Sequence, residues 1–216
     1  LTPLLMPKSP EDRLTGEYYE QAGGNDVIFL GDCEVYETFI PAKLWEGYGI
    51  TSYVRGSPQQ LIWQSYYILE ETFKYEQPKA VVFNVYAMKY GTPQNEKNNR
   101  MTLDSMKWST SKINAICASM TEDESFVDYL IPFLGHHSRI GDLTENDFKY
   151  WFKTPEKVSD SGYLMQTGIA PRPEQTETPR ELRDYDFSDT ALDYLDKIKH
   201  AGSIFMGRNC PEALGD

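Results

Sequence analysis

The sequence predicts an α/β fold built on a parallel sheet, and three observations carry that prediction. Short apolar runs alternate with helix-like stretches over the first 90 residues. Turn residues bound these runs, as in "NDVIFLGD" and "VRGSP". The third run, "AVVFNVYAM", is apolar at consecutive positions, the pattern of a strand covered on both faces. Strand, helix, strand, helix, strand in this order implies right-handed crossovers between parallel neighbours.

Each element has a local reason. Residues 1–24 read as an approach segment that ends in the polar turn "QAGGND". Val27–Leu30 is too short for a helix and reads as a buried strand. "PAKLWEGYG" is a short helix opened by Pro41 and stopped near Gly47 or Gly49. "ITSYV" is the second strand. In "GSPQQLIWQSYYILEETFKYEQP" the spacing predicts a helix with Ser57 as N-cap, Pro58 at the first position and Gln60 closing a capping box. Ile62, Tyr66, Leu69 and Phe73 form its apolar stripe, and Pro78 ends it.

Beyond residue 90 the pattern changes. "GTPQNEKNNR" is a polar loop, and residues of about 95–155 read as a helical insertion over the sheet. It comprises helix-like segments at Met101–Met120, at a Thr121/Glu124 capping box and from Thr144. Residues of about 154–187, with four prolines, are mostly irregular. A last helix runs from about Ser188 to His200, and "GSIFMG" reads as a fourth strand.

At 216 residues with 40% hydrophobic and 13% aromatic content, the chain is one α/β domain over 25–216 with a core of good size. Its 33 acidic against 21 basic residues give a net charge of -12, which repels phosphate backbones and argues against nucleic-acid partners. Trp45, Trp63, Trp108 and Trp151 are expected as core or lid contacts. The three cysteines have neither zinc spacing nor a disulfide pattern, and no motif implies a metal or cofactor. The carboxylates of "TEDESFVD" and "ELRDYDFSD" lack EF-hand spacing and read as solvated faces and helix starts. The opening "LTPLLMPK" reads either as the outer end of a membrane anchor before residue 1 or as a loose terminus. The oligomeric state is not legible.

Sites in open parallel sheets lie beyond the carboxyl ends of the strands, here Gly31-Asp32-Cys33, Arg55-Gly56-Ser57 and Asn84-Val85. A cysteine at a helix start can have its thiolate favoured by the dipole and by aligned N–H groups. Gly56 permits close backbone approach, and Asn84 brings a neutral donor. Donors converging beside a nucleophile are what acyl transfer needs, because the tetrahedral intermediate gathers negative charge as it forms.

These residues carry a resemblance. "VIFLGDCE", "RGS" and "VVFNV" resemble the first three blocks of the SGNH, or GDSL-type, hydrolase superfamily. The stretch from "GDCEVYETF" through "VVFNVYAMKYG" is similar to membrane-anchored SGNH-like proteins of Gram-positive gut bacteria. Those are distantly similar in turn to the D-alanyl-lipoteichoic-acid biosynthesis protein and to polysaccharide O-acetyltransferases. The resemblance implies a three-layer, flavodoxin-like sheet and a cell-envelope location outside the cytoplasm. It implies an esterase or acyltransferase acting on an acyl ester of a glycan or related polymer, or a small-molecule ester. Asp32 and Cys33 fall at the catalytic block, with Cys33 replacing the usual serine, and Cys33, Gly56 and Asn84 fall at the oxyanion positions.

Two departures follow. Glu34 and Glu37 beside Cys33 oppose thiolate formation. The family's Asp-x-x-His block, which supplies the general base, has no counterpart: His136 and His137 lie in "LGHHSRIGD" and His200 ends a helix. The ending "HAGSIFMGRNCPEALGD" does not resemble the family's continuation, so the expectation is a truncated or altered C-terminus and an unassigned base. The alternative is a non-catalytic envelope or binding protein on the same fold.

Overall fold

The computed structural model describes residues 9–93, 95–131, 140–141, 143–144, 148, 157–165 and 187–209, with side chains excepted at 89 and 202–209. Its centre is a three-stranded parallel sheet in the order β2–β1–β3, with β1 Val27–Gly31, β2 Ser52–Gly56 and β3 Ala80–Phe83. Val27 stands opposite Ser52 and Ala80, and Gly31 stands opposite Gly56.

Alternate residues of the strands feed two cores. Ile28, Leu30 and Tyr53 face one apolar cluster, and Phe29 and Val54 face the other. The first core is closed by α1 (Leu14–Gln21), α4 (Ile62–Tyr75), α6 (Thr110–Ser119) and α8 (Asp189–Asn209), with Tyr18, Trp63, Ile116 and Ala191 buried in it. The second is covered by α2 (Cys33–Thr38) and α3 (Pro41–Tyr48) through Val35, Tyr36 and Leu44. Helices α5 (Glu96–Leu103) and α7 (Phe126–Leu130) complete the set among the described residues. The chain is therefore α/β, with helices on both faces of a parallel sheet.

Several expectations held in detail. Pro41 opens α3, and Gly49 ends it at φ 69°, a left-handed conformation suited to glycine. The approach segment is more than an approach: it contains α1, whose Tyr18 is fully buried.

Others are corrected. The long helix begins at Ile62 rather than at Pro58. Ser57 and Gln60 hydrogen-bond each other in the turn before it, Gln59 sits at φ 51°, and Gln64 Oε1 accepts the Leu61 N–H at 2.9 Å. The strand expected over "AVVFNVYAM" stops at Phe83, because Asn84 Oδ1 takes the Tyr86 N–H and starts a one-turn 3-10 segment, Val85–Lys89. Nor is β3 covered on both faces. It is the sheet's edge among the described residues, and Val82 is 41% exposed.

The helix expected over Met101–Met120 is two, α5 and α6, with Ser109 capping the second. Lys112 fixes the break: its buried ammonium donates to the carbonyls of Asp104 (3.1 Å) and Met106 (2.9 Å) and lies 4.4 Å from the Trp108 ring centroid. Thr121 and Glu124 hydrogen-bond each other, but α7 starts later and is capped by Ser125. "GSIFMG" lies inside α8, not in a strand. The helix runs through Gly202, the residue that reads as its stop. Trp63 is core, whereas Trp45 (60%) and Trp108 (50%) are exposed, and Trp151 lies outside the described residues. Most of the segment expected from Thr144, and most of 154–187, also lie outside them.

Within 157–165 a short reversal, Asp160 bridging Tyr163, closes the outer edge of β2. Val54 N–H donates to Ser161 O (2.9 Å), and Leu164 N–H donates to Tyr36 O. Buried Glu17 anchors the reversal by accepting from Val158 N–H, Ser159 N–H and Ser159 Oγ.

Candidate strand-end site

The parallel register brings Gly31, Gly56 and Asn84 to one end of the sheet. Ser57 N–H donates to Gly31 O (3.3 Å), and Asn84 N–H donates to Leu30 O (2.8 Å). Glycine is required at 31 by crowding. A Cβ there would lie 2.6 Å from Asn84 Cβ and closer still to Val35 Cγ2.

Asp32 caps α2. Its carboxylate is buried, and Oδ1 accepts from Glu34 N–H (3.2 Å) and Asn84 Nδ2 (3.2 Å). The orientation of Asn84 follows from its other bond. Since Oδ1 is spent on Tyr86 N–H, Nδ2 is the atom presented at the strand end.

Cys33 is the first residue of α2 and half-buried, packed against the second core. Burial pushes its thiol up, and the Asp32 and Glu37 carboxylates push it further. The N–H groups of Glu34 and of Cys33 itself pull the other way without winning. The resting sulfur is therefore a thiol. The lowered value that a helix start alone suggests is reversed by burial and by two carboxylates.

Gly56 is buried beside Tyr36: a Cβ there would meet Tyr36 Cδ1 at 3.0 Å. Successive N–H groups along a strand alternate in direction. With Val54 N–H on the outer edge and Ser57 N–H on β1, Gly56 N–H points to the outer edge of β2. Cys33 and Asn84 thus share one strand end with Asp32 between them, while Gly56 meets the group through the Tyr36 ring.

Sequence reasoning passed over Tyr36 and the neighbouring groove. The groove, about 290 Å³, runs between α2 and β3 and is lined by Glu34, Val35, Thr38, Phe39, Val82, Phe83 and Asn84. Its helical lining, 34, 35, 38 and 39, has the spacing of one helix face. His136 and His137 lie outside the described residues. His200 is exposed on α8, whose buried residues belong to the first core, across the sheet from the core that Cys33 joins. Among the described residues no cluster of His, Cys, Asp and Glu could hold a metal ion, and no helix is long and apolar enough to cross a membrane.

No family model, no curated protein and no solved structure matches this chain.

Proposed function

We propose that the strand-end group is an SGNH-type acyl-transfer site of an envelope protein held outside the cytoplasm, acting on an acyl ester of a glycan or related polymer. One observation supports this most: at the carboxyl ends of the parallel strands the Asn84 amide donates to Asp32, the residue that caps the helix starting at Cys33. Cys33 Sγ would attack the acyl carbon, and the C–O bond to the alcohol would break, leaving a thioester that water or an acceptor hydroxyl then cleaves. Cys33 N–H and Asn84 Nδ2 are the donors for the oxyanion, and Gly56 would join them once its N–H turns from the outer edge. Because the sulfur rests as a thiol, its proton has to pass to a base before attack, and that base is unassigned.

The test is hydrolysis of p-nitrophenyl acetate together with labelling by an iodoacetamide probe, for wild type, Cys33→Ala and Asn84→Ala. Turnover should vanish in Cys33→Ala and fall about a hundredfold in Asn84→Ala. Equal turnover by wild type and Cys33→Ala, both folded, refutes the reading.

A specific observation favours a second reading, a non-catalytic envelope or binding protein: burial first, and then the Asp32 and Glu37 carboxylates, keep the thiol protonated. On that reading polymer retention survives Cys33→Ala and no ester is cleaved.

A further inference from the structure

We propose that the corner formed by the edge-to-face Tyr19 and Tyr75 rings is a binding site for a small alkylammonium ligand, occupied in this structure by the chain's own Lys107. The two rings stand 5.3 Å apart, centroid to centroid, at 70° to one another. Tyr18 backs both of them edge-on, at 5.7 and 6.3 Å. Lys107 Nζ sits 4.7 Å from the Tyr19 centroid and 5.3 Å from that of Tyr75. An ammonium facing two aromatic quadrupoles is the arrangement by which aromatic cages take alkylammonium groups.

The cage does not depend on the side chain that fills it. Tyr19 Oη accepts the backbone N–H of Lys107 (3.1 Å), and the Tyr18 hydroxyl donates to buried Glu76 (2.7 Å). Both bonds survive truncation of Lys107. The corner faces solvent: Tyr75 is 40% exposed and Lys107 is exposed. Among the described residues no carboxylate pairs with Lys107, so the rings are its partners. Arg55 lies 3.7 Å from the Tyr18 centroid and 5.8 Å from that of Tyr19, with Nη1 donating to Ile68 O and Thr72 Oγ1. That second cation, and a tethered competitor in the corner, keep affinity for a free ligand low. The cage borders the first core, away from Cys33, and the proposal does not rest on acyl transfer.

The experiment titrates choline chloride, against sodium chloride at matched ionic strength, into wild type, Lys107→Ala and Lys107→Ala/Tyr75→Leu. Binding is followed by saturation transfer to the choline methyl signal and by protein amide shifts, with circular dichroism to verify folding. Lys107→Ala should bind choline about fivefold tighter than wild type, and adding Tyr75→Leu should abolish that gain. No gain in Lys107→Ala overturns the proposal, as does a gain that persists without the Tyr75 ring. If the double variant fails to fold, Lys107→Ala/Tyr75→Phe decides. It keeps the ring and must bind as Lys107→Ala does, and weaker binding refutes the cage.

Discussion

Lys112 makes stability depend on pH above neutrality. Burial pulls its ammonium from the ordinary 10.5 down to about 8, with the Asp104 carboxylate partly resisting. The folded state therefore prefers the neutral amine more than the unfolded state does. Below pH 8 the full penalty is carried, and it is relieved as pH climbs from 8 towards 10.5. A shift of this size corresponds to about 3 kcal/mol in all, and the part released between pH 7.5 and 9.5 is about 2 kcal/mol. Urea unfolding at those two pH values, for wild type and Lys112→Met, isolates the effect, because every other titration is common to both proteins. Lys112→Met also forfeits two hydrogen bonds, which changes its stability at both pH values but not the difference between them. The wild type should gain about 2 kcal/mol relative to the variant on going to pH 9.5. Parallel pH profiles would refute a buried, titrating Lys112.

Three further outcomes are expected. Glu17→Ala strips the acceptor from two N–H groups and a hydroxyl, and should cost about 3 kcal/mol and open the 157–165 segment to limited proteolysis. Gly31→Ala drives a methyl into Val35 and Asn84, and should lower stability by about 1–3 kcal/mol in thermal melts. Glu37→Gln removes one of the carboxylates that raise the Cys33 thiol, so iodoacetamide should alkylate Cys33 about threefold faster at pH 8, with the gain shrinking in 1 M salt.

What the sequence disclosed was what local chemistry decides. Pro41 and Gly49 bracket α3 because one presets the first helical φ and the other takes the left-handed cap. The apolar run of β1 and its Gly-Asp stop also rest on neighbours in the chain. What stayed hidden depends on distant partners. Nothing around Met106 announces that a lysine six residues on will hold its carbonyl and divide one helix into two. Glu17 fastens a segment 141 residues away, and no local pattern encodes that. "GSIFMG" was ambiguous on its own terms, since a three-residue apolar run between glycines suits a strand or a helix alike. At the strand end, the positions of Asp32, Cys33 and Asn84 were legible from the turn residues. The thiol's protonation was half legible, in the carboxylates but not in the burial.

The two sides of the sheet differ in a way that sets how it can be enlarged. On β2 the outward N–H of Val54 is already bonded to Ser161 O. On β3, Ala80 N–H and Asn84 N–H donate to β1, so Val81 and Phe83 turn their N–H and C=O groups outward, about 6.6 Å apart. The two edges are thus unequal among the described residues, since the β2 edge is crossed at Val54 by the 157–165 reversal. The β3 edge offers a ledge of two donors and two acceptors, uncharged and free of proline, and a further strand added there in register must count from those two residues.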